Sequence, residues 1–234
     1  MLIELAGARL LTDPVLGSRV AHLRRHARDP GTPSRLDAVL LSHQHRDHLD
    51  IPSLRRLDAG APILVPAGAG RTLRRLGRTA VELTPGDERA VGAVRVRAVP
   101  AVHDGRRVPF GPPVAALGFV VEGRRRIYFA GDTEPFDAMA GLAPVDVALL
   151  PIWGWGPKLG PGHMDPAEAA AATALLRPAV AVPIHWGTFL PAGLARRHGR
   201  LLSAPPQAFA ARVAELAPAT RVEILQPGGS LPLA

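Results

Sequence analysis

The chain has 234 residues, 47% hydrophobic and 21% charged, the balance of an ordinary globular protein with room for one substantial core. It has no cysteine, which excludes disulfides, thiolate metal sites and cysteine nucleophiles and leaves histidine and carboxylate as the strong metal ligands. The formal charge is +8, but its arginines are scattered in pairs along the whole length and aromatics make up only 4%, which speaks against a nucleic-acid surface and fits a small anionic substrate.

In chain order, residues 1–5 and 8–12 read as two strands joined tightly at Gly7, and Asp13-Pro14 ends the second. Residues 17–35 are polar and arginine-rich and contain Pro30 and Pro33, so they read as a loop with a single helical turn. The apolar run 37–42 reads as a buried strand delivering His43-Gln44-His45-Arg46-Asp47-His48. A short helix with Pro52 at its first position covers 52–57, followed by a strand at 62–66 and a glycine-flanked helix at 67–77. Strands are expected at 79–83, 94–99, 116–122 and 126–130. Then helices (134–141, 165–177, 206–217) alternate with strands (145–150, 179–184, 221–225). A meander followed by alternation predicts an α/β fold of two mixed sheets with helices outside, four layers in one domain spanning 1–234.

The six-residue cluster reads HxHxDH. Histidines two apart on extended or loop backbone point the same way, so His43 and His45 can grip one ion, leaving Asp47 and His48 free for a second. Three later strands also end in metal-capable residues: His103, Asp132 within Gly131-Asp132-Thr133, and His185 ahead of Trp186-Gly187-Thr188. Taken alone, His103 reads as a surface residue and Asp132 as the N-cap of helix 134–141. Taken together the residues supply seven ligands, enough for two ions if one carboxylate bridges. Asp132 is the natural bridge, because a carboxylate offers two oxygens and an imidazole one usable nitrogen.

HxHxDH, then His, then Gly-Asp-Thr, then His is similar to the metallo-β-lactamase superfamily, and the likeness covers nearly the whole chain. It implies a four-layer αββα sandwich, with His43, His45 and His103 on one metal, Asp47, His48 and His185 on the other, and Asp132 bridging. Leu11-Thr12-Asp13-Pro14, residues 42–50, Ala130-Gly131-Asp132-Thr133 and residues 185–189 resemble the branch containing N-acylphosphatidylethanolamine-hydrolysing phospholipase D and ascorbate-6-phosphate lactonase more than the true β-lactamases. Members usually begin with a further strand ahead of the segment matching residues 1–5, so either the start is assigned too late or this form lacks the usual first strand. The implied activity is that of a dinuclear metal-dependent hydrolase, with a metal-bound hydroxide cleaving a phosphodiester or related ester, or alternatively a lactone. Two divalent ions are implied, zinc by default, with Mn²⁺ or Fe²⁺ able to use the same donors. Asp47 then orients the nucleophile or shuttles its proton, and His163 matches a histidine that relatives turn toward substrate. A non-catalytic nucleic-acid-binding or metal-sensing module is the competing reading, and predicts steeply salt-dependent binding.

The Gly/Pro-rich stretch 151–163 holds Trp153 and Trp155, which either cap the core or form a substrate wall. Lys158, the one lysine, can serve as a point charge for an anion, and Arg107 beside Arg106 is an alternative anion holder. His22, His26 and His198, next to arginines, read as surface residues. No apolar run approaches the roughly 18 residues of a membrane span, and the first residues lack a leader pattern, so a cytoplasmic location is expected. Oligomeric state leaves no mark in the sequence.

Overall fold

Apolar residues two apart on a strand turn to one face, and two sheets form here by burying such faces against each other. A computed structural model describes residues 1–108 and 110–233. The first half runs β1 (Leu2–Leu5), β2 (Ala8–Thr12), β3 (Arg19–Val20), β4 (Leu23–Arg25), β5 (Ala38–Leu40), α1 (Ile51–Arg56), β6 (Ile63–Pro66), α2 (Gly70–Arg74), β7 (Ala80–Leu83) and β8 (Glu88–Val91). There follow β9 (Val94–Asp104), β10 (Ala115–Glu122), β11 (Arg126–Phe129), a 3-10 helix (Asp137–Leu142), β12 (Val147–Pro151), α3 (Pro166–Leu176), β13 (Val180–Ile184) and β14 (Phe189–Pro191). The chain continues through α4 (Ala195–His198), a 3-10 turn (Gly199–Leu202), α5 (Pro205–Leu216) and β15 (Arg221–Val222).

One sheet has the order β1-β2-β5-β6-β7, the other β15-β13-β12-β11-β10-β9-β8, and a small third sheet β14-β4-β3 flanks them. Between the large sheets Ile3, Leu5, Leu10, Leu40 and Leu64 meet Val96, Leu117, Phe119, Phe129, Leu149 and Val182. Behind the first sheet Val39, Leu41, Ile63 and Val65 pack with Leu54 of α1 and Leu73 of α2. Behind the second, Val120, Tyr128, Ala148 and Ala181 pack with residues of α3 and α5. This is the expected four-layer αββα sandwich. Each fully buried Leu, Val or Phe stabilises it by about 1.5–3 kcal/mol, so the three apolar layers outweigh any surface pairing.

α3 shows how local sequence sets an element. Asp165 accepts from the Ala167 and Glu168 amides, Glu168 reaches back to the Asp165 amide, and Pro166 occupies the first turn. The helix stops at Arg177, which turns left-handed at φ 46°. Its buried Ala169, Ala170 and Ala172 let it lie close on the sheet.

Several expectations need correction. Residues 17–35 carry no helical turn; β3 and β4 form there and pair with each other, β4 also pairing with β14, an apolar Leu23 and Val20 being enough to anchor a short ribbon. Asp132 is not a helix cap: the segment after it forms only the 3-10 helix, preceded by Phe136, and Asp132 is released for other contacts. β9 runs on to Asp104, so His103 sits inside the end of a strand, and β8 was unread because its residues are mostly exposed. β2, β5, β6 and β7 run parallel, as do β11, β12, β13 and β15, while β9 and β11 both run antiparallel to β10. The C-terminal ends of β2, β5, β9, β11 and β13 therefore converge on one edge of the sandwich. Among the described residues no helix is long and apolar enough to cross a membrane.

Candidate metal centre

β5 ends at Leu40, and two residues later the chain enters the histidine loop. The loop is held by the Gln44 amide donating to the Gly105 carbonyl, and by His48 and Leu49 amides donating to the His45 carbonyl. Asp50 then caps α1 by accepting from the Ser53 amide at 3.0 Å. β11 ends at a glycine that must be a glycine: Gly131 has φ +63°, and a Cβ there would lie 2.5 Å from Ser42 Cβ. That close approach brings Asp132 against the histidine loop. β13 ends at His185, itself left-handed at φ 59°, a strain of about 1–3 kcal/mol of the kind that clusters at functional sites.

The imidazoles are oriented by their outer nitrogens. His48 Nδ1 is 2.7 Å from Asp13 Oδ2, His103 Nδ1 2.7 Å from the Gly162 carbonyl, and His185 Nδ1 2.7 Å from the Trp153 carbonyl. A carboxylate or carbonyl oxygen only accepts, so each Nδ1 carries the proton and each Nε2 points a lone pair inward. His43 follows by the same logic: Ser42 Oγ donates to Asp13 Oδ2 at 2.5 Å, leaving its lone pair to accept from His43 Nδ1 at 2.9 Å.

The inward nitrogens and carboxylates form two groups, His43–His45–His103 and Asp47–His48–His185, within each of which the donor atoms lie within 4.8 Å of one another. Asp132 stands between them, with Oδ2 3.0 Å from His48 Nε2 and 4.0 Å from His43 Nε2, and Oδ1 3.6 Å from His185 Nε2. The combination of Asp13, His43 and His48 is also compact, but Asp13 meets the proton-bearing nitrogen of His48, which makes it an orienting network. His103, Asp132 and His163 form a further group.

These residues fit divalent ions. His43 Nε2 and Asp132 Oδ1 are buried without a hydrogen-bond partner, a costly state for atoms so placed unless a cation satisfies them. His48 Nε2 and His185 Nε2 are 3.1 Å apart, as are His45 Nδ1 and His103 Nε2. Two imidazole nitrogens on one tetrahedral zinc stand roughly 3.3 Å apart.

The electrostatics agree. Burial, aided by neighbouring imidazoles, pushes His43 well below the usual histidine range, and burial lowers His103 to about 4, so both are neutral at pH 7, the state a metal-binding imidazole needs. Burial pushes Asp132 upward, but His185 and His48 outweigh it and hold the carboxylate well below its usual range. Burial likewise opposes charge on His48, yet Asp132 and Asp13 hold its pKa well above the ordinary value. A proton on His48 and a divalent ion thus compete for one place.

His163 is half-buried, with Nε2 3.5 Å from Asp132 Oδ2 and Nδ1 3.0 Å from the Pro161 carbonyl. Burial lowers its pKa, but the Asp132 contact more than compensates and raises it. Trp153 contributes its carbonyl to His185, while its half-buried indole donates to Gly156 and packs against the core behind the second sheet. Trp155 is 37% exposed and meets the His22 ring edge-on at 4.9 Å. Lys158 is exposed and lies outside the cavity that opens beside Asp132. Arg107 donates through Nη1 to the Gln44 and Leu49 carbonyls at 2.9 and 2.6 Å, so that nitrogen braces the histidine loop.

Sequence reasoning missed the supports. Asp13 stands in the sequence as a strand breaker and as part of the Leu11-Thr12-Asp13-Pro14 resemblance, without the orienting role that the structure gives it. Glu134 accepts from the Gly162 amide at 2.6 Å and so secures the carbonyl that orients His103; nothing local in the sequence marks it.

A family model described as a β-lactamase superfamily domain matches residues 8–186. A protein of Aeropyrum pernix named UPF0173 metal-dependent hydrolase is 32% identical over 97% of this chain and 91% of its own length. An uncharacterized protein of Mycobacterium bovis is 36% identical over 80% of this chain, which spans 56% of that protein. Among solved structures, Igni18, a metallo hydrolase of the archaeon Ignicoccus hospitalis, superposes with a TM-score of 0.74 at 25% identity, over 98% of this chain and 91% of its own. The chain belongs to the metallo-β-lactamase superfamily, among its metal-dependent hydrolases.

Proposed function

We propose that this protein is a dinuclear hydrolase that cleaves a phosphodiester or related ester, lactones included, on a small anionic substrate. One observation carries the reading: four imidazoles have their outer nitrogens committed as donors, which turns their inner nitrogens into one space beside the buried carboxylate of Asp132. A binding module without turnover has no use for such an arrangement, which matches the ligand demand of two ions.

His43, His45 and His103 would hold one ion and Asp47, His48 and His185 the other, and Asp132, with Oδ2 3.0 Å from His48 Nε2 and 4.0 Å from His43 Nε2, is the residue that both would share. Zinc suits this nitrogen-rich donor set. When bound, the ions supply a water of lowered pKa and positive charge for the attacked centre.

The chain's own residues supply the rest. Asp47, 18% exposed and with Oδ2 3.9 Å from both His48 and His185, is the carboxylate placed to accept a proton from the attacking water. His163 holds a proton at Nε2 on the open side of Asp132, where it can be passed to the departing oxygen as the ester bond breaks. Water adds across that bond, giving an acid and an alcohol.

The test is metal analysis together with turnover of a chromogenic phosphodiester and a lactone panel. Bound zinc with hydrolysis of either class supports the reading, and an iron- or manganese-only enzyme changes the metal but not the chemistry. A protein that stays inactive after reconstitution with each ion overturns it.

A further inference from the structure

The arginine pairs scattered along the sequence gather in the fold. β4, in the arginine-rich stretch 17–35, pairs with β14, which lies in the stretch 186–204 between His185 and α5. The Ala192 amide donates to the His22 carbonyl at 3.0 Å and the His26 amide to the Thr188 carbonyl at 2.7 Å, so the run into α4 starts beside the β3–β4 turn. Register sets Arg19 opposite Arg24, on one face of the ribbon. The two stretches together hold eight arginines, three histidines and a single acid, Asp29, so seven of the chain's eight net positive charges lie on this lobe. In the rest of the chain basic and acidic residues almost cancel, twenty against nineteen. A general preference for arginine raises its count throughout; it does not strip one lobe of acids.

Arg19, Arg24, Arg28, Arg196, Arg197 and Arg200 are exposed, and among the described residues none of them has a carboxylate within 4.0 Å or a hydrogen bond from its guanidinium. Elsewhere Arg106, Arg125, Arg212 and Arg221 lie beside Asp104, Asp146, Glu215 and Glu223. Like charges gathered this way repel one another, and an anionic partner relieves the repulsion. At the border of the lobe Trp155, 37% exposed, meets the His22 ring edge-on at 4.9 Å. We propose that this lobe docks a single-stranded nucleic acid, on a surface apart from the metal ligands and whichever ester the metal centre cleaves. Guanidinium forks grip phosphate oxygens two at a time, and the lobe contains no lysine. Trp155 adds a flat face on which an unpaired base can stack. An anionic bilayer rewards inserted apolar groups, and no large apolar side chain of the two stretches is exposed.

The test is fluorescence anisotropy of a labelled oligodeoxythymidylate of about twelve nucleotides with the zinc-loaded full-length protein. Expected is saturable binding whose log affinity falls against log salt with a slope of about −3 to −4, as for some five neutralised phosphates. Replacing Arg19, Arg24, Arg196 and Arg197 together by Gln should flatten the slope by about 3 and weaken binding about a hundredfold or more at roughly 0.1 M salt. Replacing Arg71, Arg75, Arg89 and Arg124, exposed arginines outside the two stretches, removes the same charge and should leave the slope unchanged. Trp155→Ala should weaken binding about fivefold or more with the slope kept. Circular dichroism checks that each variant is folded. Hydrolysis of a small chromogenic ester should be equal in the lobe variant and the wild type, so the docking surface and the hydrolase reading stand or fall separately. A wild type with no saturable binding at low salt overturns the proposal, and so does equal loss in the two arginine sets. Lobe-dependent binding to vesicles of phosphatidylglycerol and phosphatidylcholine, with none to the oligonucleotide, overturns it in favour of a membrane.

Discussion

Asp13 is the sharpest place to perturb the centre, because it touches none of the proposed ions. Its carboxylate accepts from the Ser42 amide at 2.8 Å, Ser42 Oγ at 2.5 Å and His48 Nδ1 at 2.7 Å, with the side chain only 9% exposed. Asp13→Asn keeps the shape, and asparagine tolerates the left-handed φ of 39° at this position, so the backbone is not at issue. The amide puts an NH₂ where Oδ2 stood, facing two donors. Two charge-assisted hydrogen bonds are lost, at about 1.5–3 kcal/mol each, of which neighbouring water recovers part; a net destabilisation of about 2–4 kcal/mol follows. Loss of the acceptor frees the His48 ring, and supports of this type change metal affinity about 10–100-fold. The assay is competition with a chromogenic zinc chelator beside urea unfolding. An Asp13→Asn protein that holds its ions with wild-type affinity refutes the orienting role.

Three further outcomes are expected. Gly162→Ala places a Cβ 2.6 Å from His103 Nδ1, whereas Gly7→Ala, at the similar φ of +84°, meets nothing within 4 Å; both lose about 1 kcal/mol of stability on urea unfolding, and only the first loses metal affinity, about tenfold or more. Tyr128→Phe removes a buried hydroxyl that has no hydrogen-bond partner among the described residues, so urea unfolding should show a gain of about 1 kcal/mol, and a comparable loss would show a partner was removed. Chelation should lower the melting temperature by about 16–32 °C, half of it for each of two ions, relative to protein in zinc at a thousandfold excess over the dissociation constant, and calorimetry showing no shift speaks against buried ions.

The metal-ligand candidates were legible because their chemistry is carried by residue type and order: an imidazole at the end of an apolar run has few other reasons to be there. The four layers were legible because helix and strand periods differ. What stayed hidden depends on contacts distant in sequence. Asp13 meets His48 across 35 positions and His103 meets Gly162 across 59, and neither spacing leaves a local pattern. Trp153 drew attention for its indole, yet it is the carbonyl, which any residue could supply, that orients His185. Arg107 looked like an anion holder because solvent exposure cannot be read from an Arg-Arg pair.

The central claim is a two-metal centre shared through Asp132, and the most direct measurement is metal stoichiometry by inductively coupled plasma mass spectrometry after zinc loading and desalting. The account predicts two ions per wild-type chain and at most one per Asp132→Ala chain. A single ion in the wild type, or two retained without Asp132, contradicts it.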